Sequence, residues 1–183
     1  WLLPPLVLGL VVNALNLGGS PQRIDDEGTY TAQAWSIGNL GELTHYTYWY
    51  DHPPLGWMQI AAWVGLTDGW NRYDIAVIAA REAMLAATAV AAVLLWFVVR
   101  RIGFARFTAS AAVALFLLSP LAVQFHRQVY LDNIATAWLL AALLLGMSRN
   151  KQLLGYIGAA AAFGIAVLTK ETYLLALPLL AWF

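Results

Sequence analysis

Cysteine is absent from the 183 residues, which excludes a disulfide framework and any thiolate metal site and leaves the redox compartment unread. Charge is scarce: 11% of residues are charged, against about 25% in soluble domains. Neither sign dominates, because ten acids balance ten bases; no bulk attraction to nucleic acid follows, and none is expected as a partner. No cleavable signal peptide is recognisable and no initiator methionine is present. The last apolar run, 173–183, is shorter than the roughly 20 residues a helical span needs. The chain is therefore expected to be the N-terminal part of a longer membrane protein. What is plentiful is apolar surface: 61% of residues are hydrophobic and the mean hydropathy is +0.66, the composition of an integral membrane protein. Nine tryptophans and eight tyrosines suit belts at headgroup level.

Apolar runs over 1–17, 75–99, 107–123, 129–147 and 153–168 predict five spans, with a sixth beginning at Tyr173. The expected fold class is an all-α polytopic transmembrane helical bundle, one membrane module over 1–183. Between the first two spans lies a polar, aromatic-rich loop, 18–74. Within it a short helix is expected over 30–43. Another is expected over Leu55–Leu66, after Pro53-Pro54, with Trp57, Ile60, Ala61 and Val64 on one face. That second helix fits either an amphipathic helix in the headgroup plane or an ordinary packed helix.

Five of the ten basic residues sit in two turns, 100–106 and 149–151, and none of the acids does. Alternating spans put these turns on one side, which the positive-inside rule makes cytoplasmic. The acidic loop, His126-Arg127 and Lys170 then converge on the extracytoplasmic face. Arg81, Glu82, Arg127 and Asp132 fall within or at the ends of apolar runs. Ionisable groups there are costly and pair with one another or face a polar cavity. Asp25-Asp26-Glu27 fits a solvated turn or an active-site loop laid against the membrane.

The acidic run after the first span, followed by His52-Pro53-Pro54-Leu55, resembles the GT-C glycosyltransferases, most closely the protein O-mannosyltransferase and aminoarabinose transferase-like group. The resemblance extends over essentially all 183 residues. It implies an inverting transfer of sugar from a polyprenyl-phosphate carrier to an extracytoplasmic acceptor hydroxyl on a protein, lipid or glycan, at a bacterial plasma membrane. It implies that Asp26 is the catalytic aspartate, since a carboxylate is suited to take the acceptor proton, and that Asp132 is a second carboxylate facing the site. Glu27 corresponds to the acid that braces the loop against Arg81. Lys170, in Leu168-Thr169-Lys170, resembles a phosphate-binding lysine of the aminoarabinose branch, suited to stabilise the departing charge; Arg127 and His52 are expected to help hold that phosphate. His52 sides with the O-mannosyltransferase branch, whereas the aminoarabinose branch has lysine there, and Thr29 departs from an arginine of that branch. Asp25 has no counterpart.

Some GT-C relatives are metal-dependent, and Asp26, Asp132 and His52 are the residues that a divalent ion would draw together. No local ligand spacing such as H-E-x-x-H supports one, so no cofactor is expected to be required. The rival reading is a transporter or flippase for a lipid-linked or small anionic substrate, which would also surround a cavity with intramembrane charges. Such a protein would show repeats between two halves, and none is seen in these spans.

Overall fold

The computed structural model describes residues 1–45, 50–148 and 152–181. Among them all regular structure is helical. Helix α1, Leu3–Ala14, carries Pro4-Pro5 in its first turn, where a missing N–H leaves no bond unmade. Helix α2, Asp25–Leu40, starts earlier than expected, because Asp25, Asp26 and Glu27 are its first turn. The acidic run is thus not loop. Three carboxylates are favoured at a helix N-terminus, where free N–H groups and the positive end of the dipole meet them.

Helix α3, Leu55–Leu66, has the bounds expected from the sequence. Its Trp57, Ile60, Ala61 and Val64 stripe is covered by protein, so it packs as an ordinary helix, while Met58 and Leu66 remain exposed. A single turn, α4 (Gly69–Arg72), leads to α5, Ala76–Ile102. Its 27 residues extend about 40 Å. Gly103 ends it at φ 111°, a left-handed value costly for a residue with a Cβ.

The expected third span is broken. Helices α6 (Arg106–Leu118) and α7 (Pro120–His126) meet at 64°, because Pro120 lacks an N–H and forces Ser119 out of helical conformation, to ψ 138°. Helix α8, Leu131–Gly146, and helix α9, Gln152–Thr169, follow. From Glu171 the chain continues as a 3₁₀ segment, Glu171–Ala176, then α10, Leu177–Ala181, where a sixth span is expected to begin.

Helices α5 and α9 are long and apolar enough to cross a membrane, and the bent pair α6–α7 makes a third if taken as one span. Helix α8 has 16 residues and α1 has 12; at about 24 and 18 Å both fall short of a hydrocarbon core of roughly 30 Å. Among the described helices, two or three therefore have the length and apolarity of a span. Arg149, Asn150 and Lys151, the second basic turn, lie outside the described residues.

Helix α8 packs on α9 and α5, α5 on α6, and α6 on α1, while α3 is wedged against α2, α5, α8 and α9. Gly56 permits the wedge: a Cβ there would lie 2.8 Å from Leu131 Cδ2 and 3.2 Å from Thr169 Cγ2. The larger core, including Tyr30, Ala34, Trp57, Ile60, Met84, Val129 and Leu131, joins α2 and α3 to one end of α5 and α8. At the far end Arg101 Nη1 donates to Met147 O, closing α5 onto the end of α8. The basic turn at 100–106 and the acidic segment thus occupy opposite ends of α5.

Candidate functional site

Glu27 and Arg81 organise the polar end of the bundle. Both are fully buried. Arg81 Nε donates to Glu27 Oε1 and Nη2 to Oε2, each at 2.8 Å. A buried pair holds only if its remaining lone pairs and protons are also met, and they are. Val129 N–H donates to Glu27 Oε1 at 2.9 Å and Ile24 N–H to Oε2 at 3.3 Å. On the other side Arg81 Nη1 donates to Leu17 O at 2.8 Å and Nη2 to Pro21 O at 3.0 Å. One ion pair therefore ties α2, α5, the α1–α2 linker and the α7–α8 junction together.

Asp26, the next residue on α2, is exposed, and among the described residues its carboxylate makes no hydrogen bond or ion pair. Asp25 is exposed too. Around Asp26 stand two tyrosines. The Tyr30 hydroxyl donates to Asp51 Oδ2 at 3.3 Å. Burial pushes its pKa above the ordinary phenol value, and the charges of Asp51, Asp26 and Asp132 push it further. Tyr130 is raised by burial and then by Asp26, Glu27 and Asp132. The charges of three carboxylates from three distant stretches, Asp51, Asp26 and Asp132, thus act on one phenol.

Asp132 lies in the first turn of α8 and receives Lys170 Nζ at 2.6 Å. Its side chain is 44% exposed and that of Lys170 19%, so the pair is partly open to solvent. Lys170 follows α9 directly, and its backbone is fixed from below: Trp138 Nε1 donates to Gln59 Oε1 at 2.6 Å, and Gln59 Nε2 to Thr169 Oγ1 at 2.8 Å. Tyr173 OH donates to Asp132 O at 3.1 Å. Beside this pair opens a cavity of about 490 Å³, lined by Asp132, Lys170, Tyr130, His126 and Phe116 among others, within the roughly 300–1,000 Å³ of small-molecule sites.

The other two residues expected at the phosphate are engaged elsewhere. Arg127 Nη2 donates to Leu15 O and to Asn16 O, the latter at 2.9 Å, capping the C-terminal end of α1. His52 Nδ1 lies 3.0 Å from Glu171 Oε2, and Nε2 lies 3.6 Å from Asp51 Oδ2, with the ring 5.8 Å from that of Tyr30. His52 thus ties the segment before α3 to the residue after Lys170. Among the described residues no three His, Asp or Glu side chains are gathered for a metal. Tyr30, Tyr130, Tyr173 and the Val129 amide were not singled out by sequence reasoning. The only signal for the tyrosines was their abundance, and a backbone N–H gives none.

The model of the dolichyl-phosphate-mannose-protein mannosyltransferase family matches residues 51–183, well over half of the chain. The chain belongs to that family. No curated protein and no solved structure matches it. Membership makes the chain a glycosyltransferase of the GT-C type, and with its apolar helices an integral membrane protein. The family match takes in His52, Arg81, Arg127, Asp132 and Lys170; it begins at Asp51 and so does not extend to Asp26 and Glu27.

Proposed function

We propose that this family member transfers a sugar, with inversion, from a polyprenyl-phosphate carrier to an acceptor hydroxyl on the extracytoplasmic face of a bacterial plasma membrane. The acceptor is a hydroxyl of a protein, lipid or glycan. What supports the reading above all is a carboxylate, Asp26, unpaired among the described residues, whose charge acts together with that of Asp132, the partner of Lys170, on Tyr30 and Tyr130.

In this mechanism Asp26 takes the proton of the acceptor hydroxyl as that oxygen attacks the anomeric carbon. The bond between the anomeric carbon and the phosphate oxygen breaks on the opposite face, and the lipid phosphate departs with the electron pair. Lys170 stabilises that growing charge, exchanging Asp132 for the phosphate, and Asp132 is left to receive a sugar hydroxyl. Arg127 and His52 contribute to phosphate binding by giving up part of their present contacts. Glu27 and Arg81 hold the first turn of α2, and with it Asp26, in place. No step is routed through a metal.

The test is direct. The full chain, purified into nanodiscs, is incubated with a panel of polyprenyl-phosphate hexoses and acceptor peptides, lipids and glycans, and release of free polyprenyl phosphate is followed. Sugar should leave at least one carrier only when an acceptor is present, with an inverted anomeric linkage. Failure to discharge any carrier, or retention of configuration, refutes the reading.

A further inference from the structure

We propose that His126 is a specificity-determining residue, donating a hydrogen bond to an oxygen of the sugar on the lipid donor. The inference rests on the glycosyltransferase reading above.

His126 is 7% exposed, and among the described residues its buried Nδ1 has no partner. Buried polar atoms are satisfied almost everywhere in folded proteins, so the unpartnered Nδ1 decides which ring nitrogen carries the proton. The ring is not free to search for a partner. It packs against Phe116, tilted by 50° with centroids 4.5 Å apart, and sits at the last residue of α7, beside a junction pinned by Asn133. The Asn133 amide donates to Phe125 O at 3.1 Å and to Gln128 O at 3.2 Å.

This fixed imidazole lines the same cavity as Asp132 and Lys170. Apart from the Tyr130 hydroxyl, the other donors of the cavity are already committed: the Asn133 amide as above, Thr136 to Tyr173 at 2.6 Å, Lys170 to Asp132. Orphaned buried N–H groups are rarer than under-satisfied acceptors. The proton of neutral His126 is therefore assigned to Nε2, leaving Nδ1 as the bare acceptor and making the ring a donor at Nε2. The walls match a pyranose. Phe116, Phe125 and Tyr130 line it with ring carbon against which its C–H groups can lie, and His126 and Asp132 offer a donor and an acceptor to its oxygens.

The experiment compares binding of bare polyprenyl phosphate with binding of polyprenyl-phosphate mannose, glucose and galactose to the full chain in nanodiscs. Wild type should prefer at least one sugar-loaded carrier to the bare one. His126→Phe keeps a ring on Phe116 but has no N–H. It should lose about 2–10-fold in affinity for the preferred loaded carrier, the value of one hydrogen bond between neutral groups, and bind the bare carrier as before. His126→Gln restores a side-chain N–H and should recover part of the loss. His126→Ala reads the same quantity without a bulky ring. If the variants keep the wild-type preference, or weaken bare and loaded carriers alike, His126 only packs, and the inference falls while the transferase reading stands. If wild type binds none of the carriers, the transferase reading fails and this one with it.

Discussion

Replacing Glu27 by glutamine changes one atom, and its cost can be worked from the contacts. The carboxylate receives two N–H groups from Arg81 and one each from Val129 and Ile24. Glutamine offers one oxygen, and its NH₂ then faces N–H groups that need acceptors. Arg81, fully buried, keeps its charge without an anion. Stranding one partner of a buried pair costs about 3–5 kcal/mol, which is roughly a 10²–10⁴-fold rise in the population of locally opened molecules at 1.4 kcal/mol per tenfold. Hydrogen–deuterium exchange in nanodiscs reads that population: amides of 25–40 should lose protection by this factor, with those in the middle of α5 much less affected. The double swap Glu27→Arg with Arg81→Glu should not rescue it. It turns a guanidinium toward the Val129 and Ile24 N–H groups and a carboxylate toward the Leu17 and Pro21 carbonyls. Exchange over 25–40 within threefold of wild type in Glu27→Gln, or full recovery in the swap, would refute the account.

Three further outcomes follow from the same geometry. Asp26→Asn should lower turnover at saturating donor by about 10²–10⁴-fold, the usual share of a general base, with Asp25→Asn near wild type; equal effects would remove Asp26 from the base role. Lys170→Ala should raise the KM for the polyprenyl-phosphate sugar as well as lower kcat, since a cation on the phosphate acts on bound donor and transition state alike; a pure kcat loss would put Lys170 elsewhere. Because the chain has no cysteine, single introduced thiols report topology cleanly: Ala105→Cys should label from the cytoplasmic side and Glu42→Cys from the other, and labelling from one side would overturn the orientation.

Some of this architecture was legible beforehand and some was not, for physical reasons. Helix α3 was readable to the residue because Pro53-Pro54 marks its start and an apolar stripe at helical spacing marks its buried face. The break between α6 and α7 does not show in hydropathy, which runs evenly across Ser119-Pro120; its signal is the proline itself, which disfavours helical conformation at the residue before it. The acidic run was taken for loop because hydropathy does not register what a helix N-terminus does for carboxylates. The partnership of Glu27 with Arg81, 54 residues apart, came from family resemblance and from nothing in the spacing. Asp132 and Lys170 were each singled out, but their mutual contact was not foreseen. Two groups expected to be free for phosphate, Arg127 and His52, have partners, because carbonyls at the end of α1 and the Glu171 carboxylate lie within their reach.

The Glu27–Arg81 pair also bears on how the protein is made. Chains are built from the N-terminus, with earlier segments folding first, and an arginine entering a bilayer alone costs at least about 2.5–3.5 kcal/mol. Arg81 does not enter alone. Its carboxylate, on Glu27, and its two carbonyls, on Leu17 and Pro21, all precede it in the chain and have left the ribosome before α5 is complete. The guanidinium can be neutralised and capped as α5 is inserted. Only the Val129 amide comes later, with the α7–α8 junction. The Val129 hydrogen bond thus makes the same carboxylate that neutralises Arg81 of α5 a contact with the α7–α8 junction as well.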